Sequence, residues 1–313
     1  MGKELQPRRI SWDGLSFAIP GNWELALYKF LRRGVARIEI EDEYAVRMEA
    51  EWVRPRRDLQ MDSILARYER ASKKLTSRAD HRESIHDLPG GWFATRYRFA
   101  ETMPNRSGKG GIEIVKHELV TAFFVCPESS IFCFLLLHFM PQDKEDPVEL
   151  TRVVTRGFKH HRTESFVPWQ LFDITFEMPR DFVLENTSFD VGSKLMIFRW
   201  KLRRFYLWHF SCADMFLKEG DSVPKWLAGH INGFAKIKPV VFYEDGEGRL
   251  ACKRRRRYPL GYRDEIARWC FKYHLHWRRD LEKNQLIAWV FNYRHPDDIG
   301  MLPESLTGKP SRP

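Results

Sequence analysis

Ser11-Trp12-Asp13-Gly14-Leu15-Ser16-Phe17-Ala18-Ile19-Pro20-Gly21-Asn22-Trp23-Glu24-Leu25 aligns with Gln170-Leu171-Phe172-Asp173-Ile174-Thr175-Phe176-Glu177-Met178-Pro179-Arg180-Asp181-Phe182-Val183-Leu184. The pairing reads as an internal duplication, with a strand-rich unit at 10–161 and a diverged copy at 169–303. Residues 1–9 are expected to be a flexible N-terminus, 162–168 a linker and 304–313 a flexible tail. Each copy continues through a charged and aromatic hairpin, an amphipathic helix, a second meander and a hydrophobic hairpin ending at Met140-Pro141 or His295-Pro296.

Local patterning supports that plan. Val35–Glu41 and Val46–Val53 alternate, with Ile38, Ile40, Val46, Met48, Ala50 and Trp52 on one face and Arg37, Glu39, Arg47, Glu49 and Glu51 on the other, which predicts a half-buried hairpin. Met61, Ile64, Leu65, Tyr68 and Leu75 fall at helical spacing and predict a helix over 59–76. The run Ile131–Met140 is too short to span a bilayer as a helix and contains His138, so it reads as a buried strand. Asp146-Pro147-Val148-Glu149 supplies an N-cap, a proline at the first helical position and a glutamate three residues after the cap. In the second copy Ser222-Val223-Pro224 starts a helix carrying Trp226, Leu227, Ile231 and Phe234, and the final helix is curtailed after His295-Pro296. The order strands, helix, strands, helix predicts an α+β fold: two tandem copies of an antiparallel β-sheet with packed helices.

The segments Pro20-Gly21-Asn22-Trp23 and Pro179-Arg180-Asp181-Phe182 follow an aromatic strand. This resembles the "strand, Pro, x, x, Trp" opening of the PsbP/Mog1/DcrB-like α/β/α superfold. The resemblance implies a binding module of the protein-binding kind, and it carries no functional residue over to this chain.

The 313 residues are 43% hydrophobic and 14% aromatic, with 23 Phe and 11 Trp, a composition for ordered cores rather than disorder. Five cysteines without a Cys-x-x-Cys pair argue against a secreted disulfide framework. The N-terminal residues lack an apolar stretch for secretion, so a soluble, cytoplasmic protein with no membrane association is expected.

Charge is uneven, with residues 1–160 at net +3 and 161–313 at net +7. Residues 249–279 hold eleven basic side chains against Asp264 and Glu265, a net +9 out of +10 for the chain. The candidate anion- or partner-binding residues are Lys253, Arg254, Arg255, Arg256, Arg257, Arg268, Lys272, Arg278 and Arg279. Aromatics interleave with them, including Tyr258, Trp269, Phe271, Tyr273 and Trp277. Guanidinium and ammonium groups neutralise phosphates or carboxylates, and exposed rings stack on unpaired bases. Strand alternation, however, sends Trp269, Phe271, Tyr273, Leu275 and Trp277 to the core and Lys272, His274 and His276 to the other face. The bland reading is a solvated basic edge.

Other constellations are weaker. His274 and His276 share a strand face at a spacing that suits a shared metal, with His209 on another hairpin as the remaining nitrogen, but no further ligand stands at metal spacing. Glu39, Glu41, Glu49 and Glu51 offer paired carboxylates for acid/base work, which a cross-strand ladder with Arg37 and Arg47 accounts for equally. The equivalent positions of the second copy are expected around Arg199, Lys201 and Arg203. The glycine-rich run 105–111 lacks the order of a phosphate-binding loop. The function expected from these residues is a non-catalytic adaptor that needs no cofactor or metal. It would engage an acidic protein partner through the basic second repeat and the groove between repeats. The alternatives are a nucleic-acid-binding protein using the same surface and an enzyme with a pocket between the repeats.

Overall fold

In the computed structural model, the residues described are 7–31, 35–53, 66, 69–70, 72–74, 76–104, 112–126, 131–161, 164–171, 174–217, 222–234, 243–244, 250–253, 272–293, 295–302 and 306. The chain divides into two compact units, unit 1 comprising Met1–Arg162 with Pro168–Thr175, and unit 2 comprising Thr163–Val167 with Phe176–Pro313.

Unit 1 opens with the hairpin β1 (Arg8–Trp12) and β2 (Leu15–Ile19). Asp13 and Gly14 both take positive φ, 48° and 83°, the two-residue turn that matches the twist of the flanking strands. A seven-stranded antiparallel sheet comes next. It is built from β3 (Glu24–Leu31), β4 (Val35–Glu41), β5 (Val46–Val53), β6 (His81–Ile85), β7 (Trp92–Pro104), β8 (Ile112–Cys126) and β9 (Ile131–Phe139) in the order β3-β4-β5-β9-β8-β7-β6. Helix α1 (Pro147–Arg156) and the short strand β10 (Lys159–His160) close the unit, and β10 pairs with β2.

Strands β11 (Phe166–Leu171) and β12 (Ile174–Pro179) form a two-stranded sheet. The second seven-stranded sheet uses β13 (Val183–Asp190), β14 (Ser193–Trp200), β15 (Arg203–Ser211), β16 (Tyr243–Glu244), β17 (Leu250–Lys253), β18 (Lys272–Asp280) and β19 (Gln285–Tyr293). Its order is β13-β14-β15-β19-β18-β17-β16. Helices α2 (Ala213–Phe216) and α3 (Val223–Gly233) fall between β15 and β16, and a 3-10 helix, Pro296–Met301, comes after β19.

The two large sheets share one topology. In each, three strands meander, the chain crosses to the far edge, and four more strands return so that the last pairs with the third. The register agrees in detail: a bulge follows Leu25 where β3 pairs with β4, and another follows Leu184 where β13 pairs with β14. The central strands are buried on both faces, which is why Ile131–Phe139 and Phe205–Phe210 read as near-continuous apolar runs instead of alternating ones.

The expected helix-packed α+β class is overturned. The described residues are mostly strand, with nineteen strands in four sheets, against three short α-helices, one 3-10 helix and helical positions at Ala66, Glu69, Arg70, Ser72, Lys73, Lys74 and Leu306. The physical reason is that aromatic hairpins take part of the covering layer that helices were expected to supply. In unit 1, Trp12 and Phe17 from β1 and β2 lie under one face of the sheet, Trp12 at 4.9 Å from Tyr28 of β3. Phe158, just after α1, meets Phe17, Trp92 and Phe124 at 4.7–5.3 Å. In unit 2, Phe176 of β12 meets Phe198, Phe182 meets Phe291, and Trp289 donates its indole N–H to the Leu306 carbonyl at 2.8 Å.

Helix α1 starts as its sequence predicts, with the Asp146 carboxylate accepting from the backbone N–H groups of Val148 and Glu149, both at 2.9 Å. The remainder of the helix expected over 59–76 lies outside the described residues. No helix among the described residues is long and apolar enough to cross a membrane.

Candidate functional site

Only part of the basic segment falls among the described residues. Arg254, Arg255, Arg256, Arg257 and Arg268 lie outside them, as do Tyr258, Trp269 and Phe271. Lys253, at the end of β17, is the Cα partner of Lys272, at the start of β18. At the far end of β18, Arg278 and Arg279 are exposed. Tyr273 and Leu275 are buried in the unit 2 core, and Trp277 packs against it. Those rings therefore serve packing rather than stacking on a partner.

The histidines have structural settings. His274 stacks on the Trp289 ring at 5.6 Å and His276 lies tilted on the same ring at 5.4 Å. His209 sits on β15, separated from β18 by β19. Among the described residues no group of three His, Cys, Asp or Glu is placed to hold a metal ion.

The carboxylates of unit 1 form one ion-pair cluster. Arg37 reaches Glu39 at 2.9 Å, Glu51 at 3.4 Å and also Glu49, whose other oxygen is 2.9 Å from His138 Nε2. The His138 hydrogen bond, followed by the nearby Arg37 charge, holds the Glu49 carboxyl below its ordinary range. Arg47 leaves this ladder. A bulge between Ile40 and Glu41 turns it inward, where it pairs with Asp42 at 3.2 Å and with Asp143. In pairing register, the unit 2 positions equivalent to Glu39, Glu49 and Glu51 are Ile197, Tyr206 and Trp208, not the expected basic residues around Arg199, Lys201 and Arg203.

Arg47 belongs to a feature that both units repeat. Asp143 accepts from the Met140 backbone N–H at 2.6 Å, and the Arg47 guanidinium lies 5.6 Å from the Trp23 ring centre. Asp298 accepts from the His295 N–H at 3.0 Å and from Arg203 Nε at 2.7 Å, with Arg203 4.5 Å from the Trp200 ring, itself stacked on Phe182. Pro141-Gln142-Asp143 and Pro296-Asp297-Asp298 are thus the same clasp, and the shared X-Pro-x-Asp spacing was its sequence signal. A second buried polar group joins Ser11, Ser16 and His161 through hydrogen bonds of 2.8 Å each. All three are nearly sealed from solvent, so this chain ties β10 to the opening hairpin.

The remaining feature, missed in the sequence, is a cleft of about 920 Å³ in unit 1. It lies on the sheet face opposite α1, over β6, β7 and β8, with Glu69, Ser72, Lys73 and Thr76 along one side. Ser84, Thr95 and Thr121 are Cα partners in succession and form a transverse row of hydroxyls in its floor. Phe93 and Phe123 pair on one side of that row, and Tyr97 stands on the other, beneath Arg82 at 5.9 Å. Phe93 is 67% exposed, whereas Thr121 is 1% exposed and its hydroxyl has no hydrogen-bond partner among the described residues. No periodicity marks these residues, because they belong together only once three strands are set in register.

No known family's sequence profile matches the chain, and no curated protein matches it. Among solved structures, a protein from Bacteroides thetaiotaomicron VPI-5482 is similar at 12% identity and a TM-score of 0.26, over 50% of this chain and 51% of that one. The chain thus spans about half the length of that protein. A double mutant of transferrin binding protein B from Haemophilus parasuis Hp5 is similar at 10% identity and a TM-score of 0.14, over 88% of this chain and 66% of that one. Likeness at this level transfers neither fold nor function.

Proposed function

We propose that the chain is a non-catalytic binding protein whose second unit engages an acidic protein partner through its basic segment. The observation that carries this reading is the register of β17 and β18. Lys253 and Lys272 are direct cross-strand partners, and Lys253 begins the run Lys253-Arg254-Arg255-Arg256-Arg257. That register brings two basic positions of the sequence together where the arginine run begins, and a concentration of positive charge favours an anionic partner. Arg278 and Arg279 extend the positive field to the other end of β18.

The test is fluorescence anisotropy of a labelled acidic peptide, rich in glutamate, and of a labelled single-stranded oligonucleotide, each titrated with the intact chain across a salt series. A variant carrying Arg254→Ser, Arg255→Ser, Arg256→Ser and Arg257→Ser is the control. The reading expects peptide binding that the variant loses, that is tighter than binding of the oligonucleotide and that weakens as salt screens the charges. Tighter binding of the oligonucleotide, falling steeply and linearly in log salt, assigns the surface to nucleic acid instead. Equal binding by the variant removes the segment from the function.

A further inference from the structure

We propose that the cleft of unit 1 binds a small amphiphilic monocarboxylate, an apolar acyl or aryl body carrying one anionic head. This site is separate from the basic segment and does not depend on the partner proposed for it.

The volume of about 920 Å³ falls within the range of small-molecule sites, which combine apolar walls with a few placed polar groups. The floor has that composition. Phe93, Phe123 and Tyr97 supply aromatic surface, and the high exposure of Phe93 leaves a large ring facing solvent on the rim of a concavity. Covering such a ring with an apolar body contributes roughly 25 cal/mol per Å² removed from water.

The hydroxyl row adds direction. Ser84 lies on the edge strand β6 and is exposed, Thr95 is half-buried, and Thr121 is buried. The row leads from the open edge of the sheet inward to a hydroxyl without a partner among the described residues. A buried polar group left unmatched is costly, and a ligand group reaching the inner end of the row removes that cost.

Charge on the rim sets the head group. Lys73 and Arg82 are exposed, and neither has an ion-pair partner among the described residues. Glu69 and Asp87 are the acidic groups of the same rim, and the one arginine near Asp87, Arg152 at 3.5 Å, is shared with Glu149. Among the described residues the rim thus sets two cations, Lys73 and Arg82, against two carboxylates, a near balance in which a singly charged head held by direct contact with Lys73 and Arg82 is favoured over a dianion such as a phosphate monoester. Arg82 over the Tyr97 ring places a guanidinium where an aromatic wall meets the solvent, so head and body are addressed side by side.

Unit 2 builds the same region differently. The positions equivalent to Thr121 and Phe123 are Leu275 and Trp277, both part of the packed core under α3. The hydroxyl row is therefore a property of unit 1 and not of the shared sheet plan.

Isothermal titration calorimetry of the intact chain with decanoate, decanamide and inorganic phosphate tests the assignment. Decanoate is expected to bind saturably at one site, with decanamide weaker by about tenfold or more and phosphate without detectable binding. Lys73→Ser combined with Arg82→Ser is expected to weaken decanoate by about tenfold while leaving decanamide unchanged. Thr121→Val is expected to weaken both ligands yet leave the ligand-free melting temperature unchanged or higher, since it removes a buried hydroxyl that has no partner among the described residues. Should Thr121→Val unfold the protein, Thr121→Ser replaces it, keeping the hydroxyl and so retaining decanoate binding. The proposal fails if decanoate does not saturate, if decanamide binds equally, or if neither the rim nor the floor variant changes affinity.

Discussion

At one position of one sheet face, unit 1 carries Glu49 and unit 2 carries Tyr206, and the strands around the two are paired alike. The contrast extends to the neighbours. Arg37, Glu39 and Glu51 of unit 1 stand where unit 2 has Leu195, Ile197 and Trp208. In unit 2 these side chains form an apolar layer under Leu227 and Ile231 of α3. In unit 1 they form a half-buried cluster in which one arginine is shared by three glutamates. The opposite face is mostly apolar in both, with Ile38, Met48 and Ala50 in one and Met196, Phe205 and Leu207 in the other, although the buried His209 stands where unit 1 has Trp52. The shared plan therefore resides in strand order, the bulge after the first leucine and the arginine–aspartate clasp. The chemistry of one face is left to vary, as long as each charge placed there is paired and each ring is covered.

The largest expected effect separates the two faces. Trp208→Ala removes a buried indole beneath α3 and should cost about 3–5 kcal/mol, whereas Glu51→Ala at the equivalent place should cost about 1 kcal/mol or less. Urea unfolding of the intact chain measures both, and equal losses would show that the charged cluster is as structural as the aromatic layer. The clasp should behave the same way in both units. Arg47→Met and Arg203→Met each strand a buried aspartate and should each cost about 3 kcal/mol or more. A large loss in one unit and none in the other would break the equivalence.

Smaller differences concern the helix at the end of each sheet. Asp146→Ala removes the cap of α1 and should cost about 1 kcal/mol, while Asp297→Ala, in the first turn of the 3-10 helix that follows the last strand of unit 2 but not its capping residue, should cost a few tenths. The same urea titrations rank the pair, and equal losses would make the two helix starts equivalent.

The two faces should also titrate in opposite directions. Hydrogen bonding to His138 lowers the Glu49 carboxyl from 4.5, so its contribution to stability is complete above that value and is lost as pH falls through the lowered folded value. Burial pushes the Tyr206 phenol from 10.0 up to about 12, so its contribution is complete below 10.0 and is lost as pH climbs through the raised value. Melting temperature against pH should therefore show an acid limb reduced by Glu49→Gln and an alkaline limb reduced by Tyr206→Phe. If each substitution leaves its limb unchanged, burial and pairing at this position do not control the two titrations.

Much of the frame was legible before folding. The repeated opening, the alternating hairpin at 35–53, the apolar run at 131–139 and the capped helix at 147 each rest on local rules of period, turn chemistry and capping. What could not be read depends on which strands become neighbours. The balance of sheet over helix was misjudged because the opening segments fold as covering hairpins, for which Asp13-Gly14 was the available signal. Arg47 was assigned to the wrong face because alternation counts residues and a bulge adds one. The floor of the cleft stayed hidden because Ser84, Thr95 and Thr121 occupy three strands and share no spacing along the chain. The basic run was plain as composition, but the Lys253–Lys272 juxtaposition required the register of β17 with β18.

The clasp joins residues 96 positions apart in unit 1 and 95 apart in unit 2. The central seam of each sheet, third strand against last, closes over a similar length of chain. A growing polypeptide on the ribosome therefore holds the first three strands of either seven-stranded sheet with an open edge until the final strand has been made, and loop-closure entropy must be met before that long-range pairing is rewarded. Each unit should consequently fold late and in one step, with β5 or β15 as the surface that a chaperone must shield during synthesis.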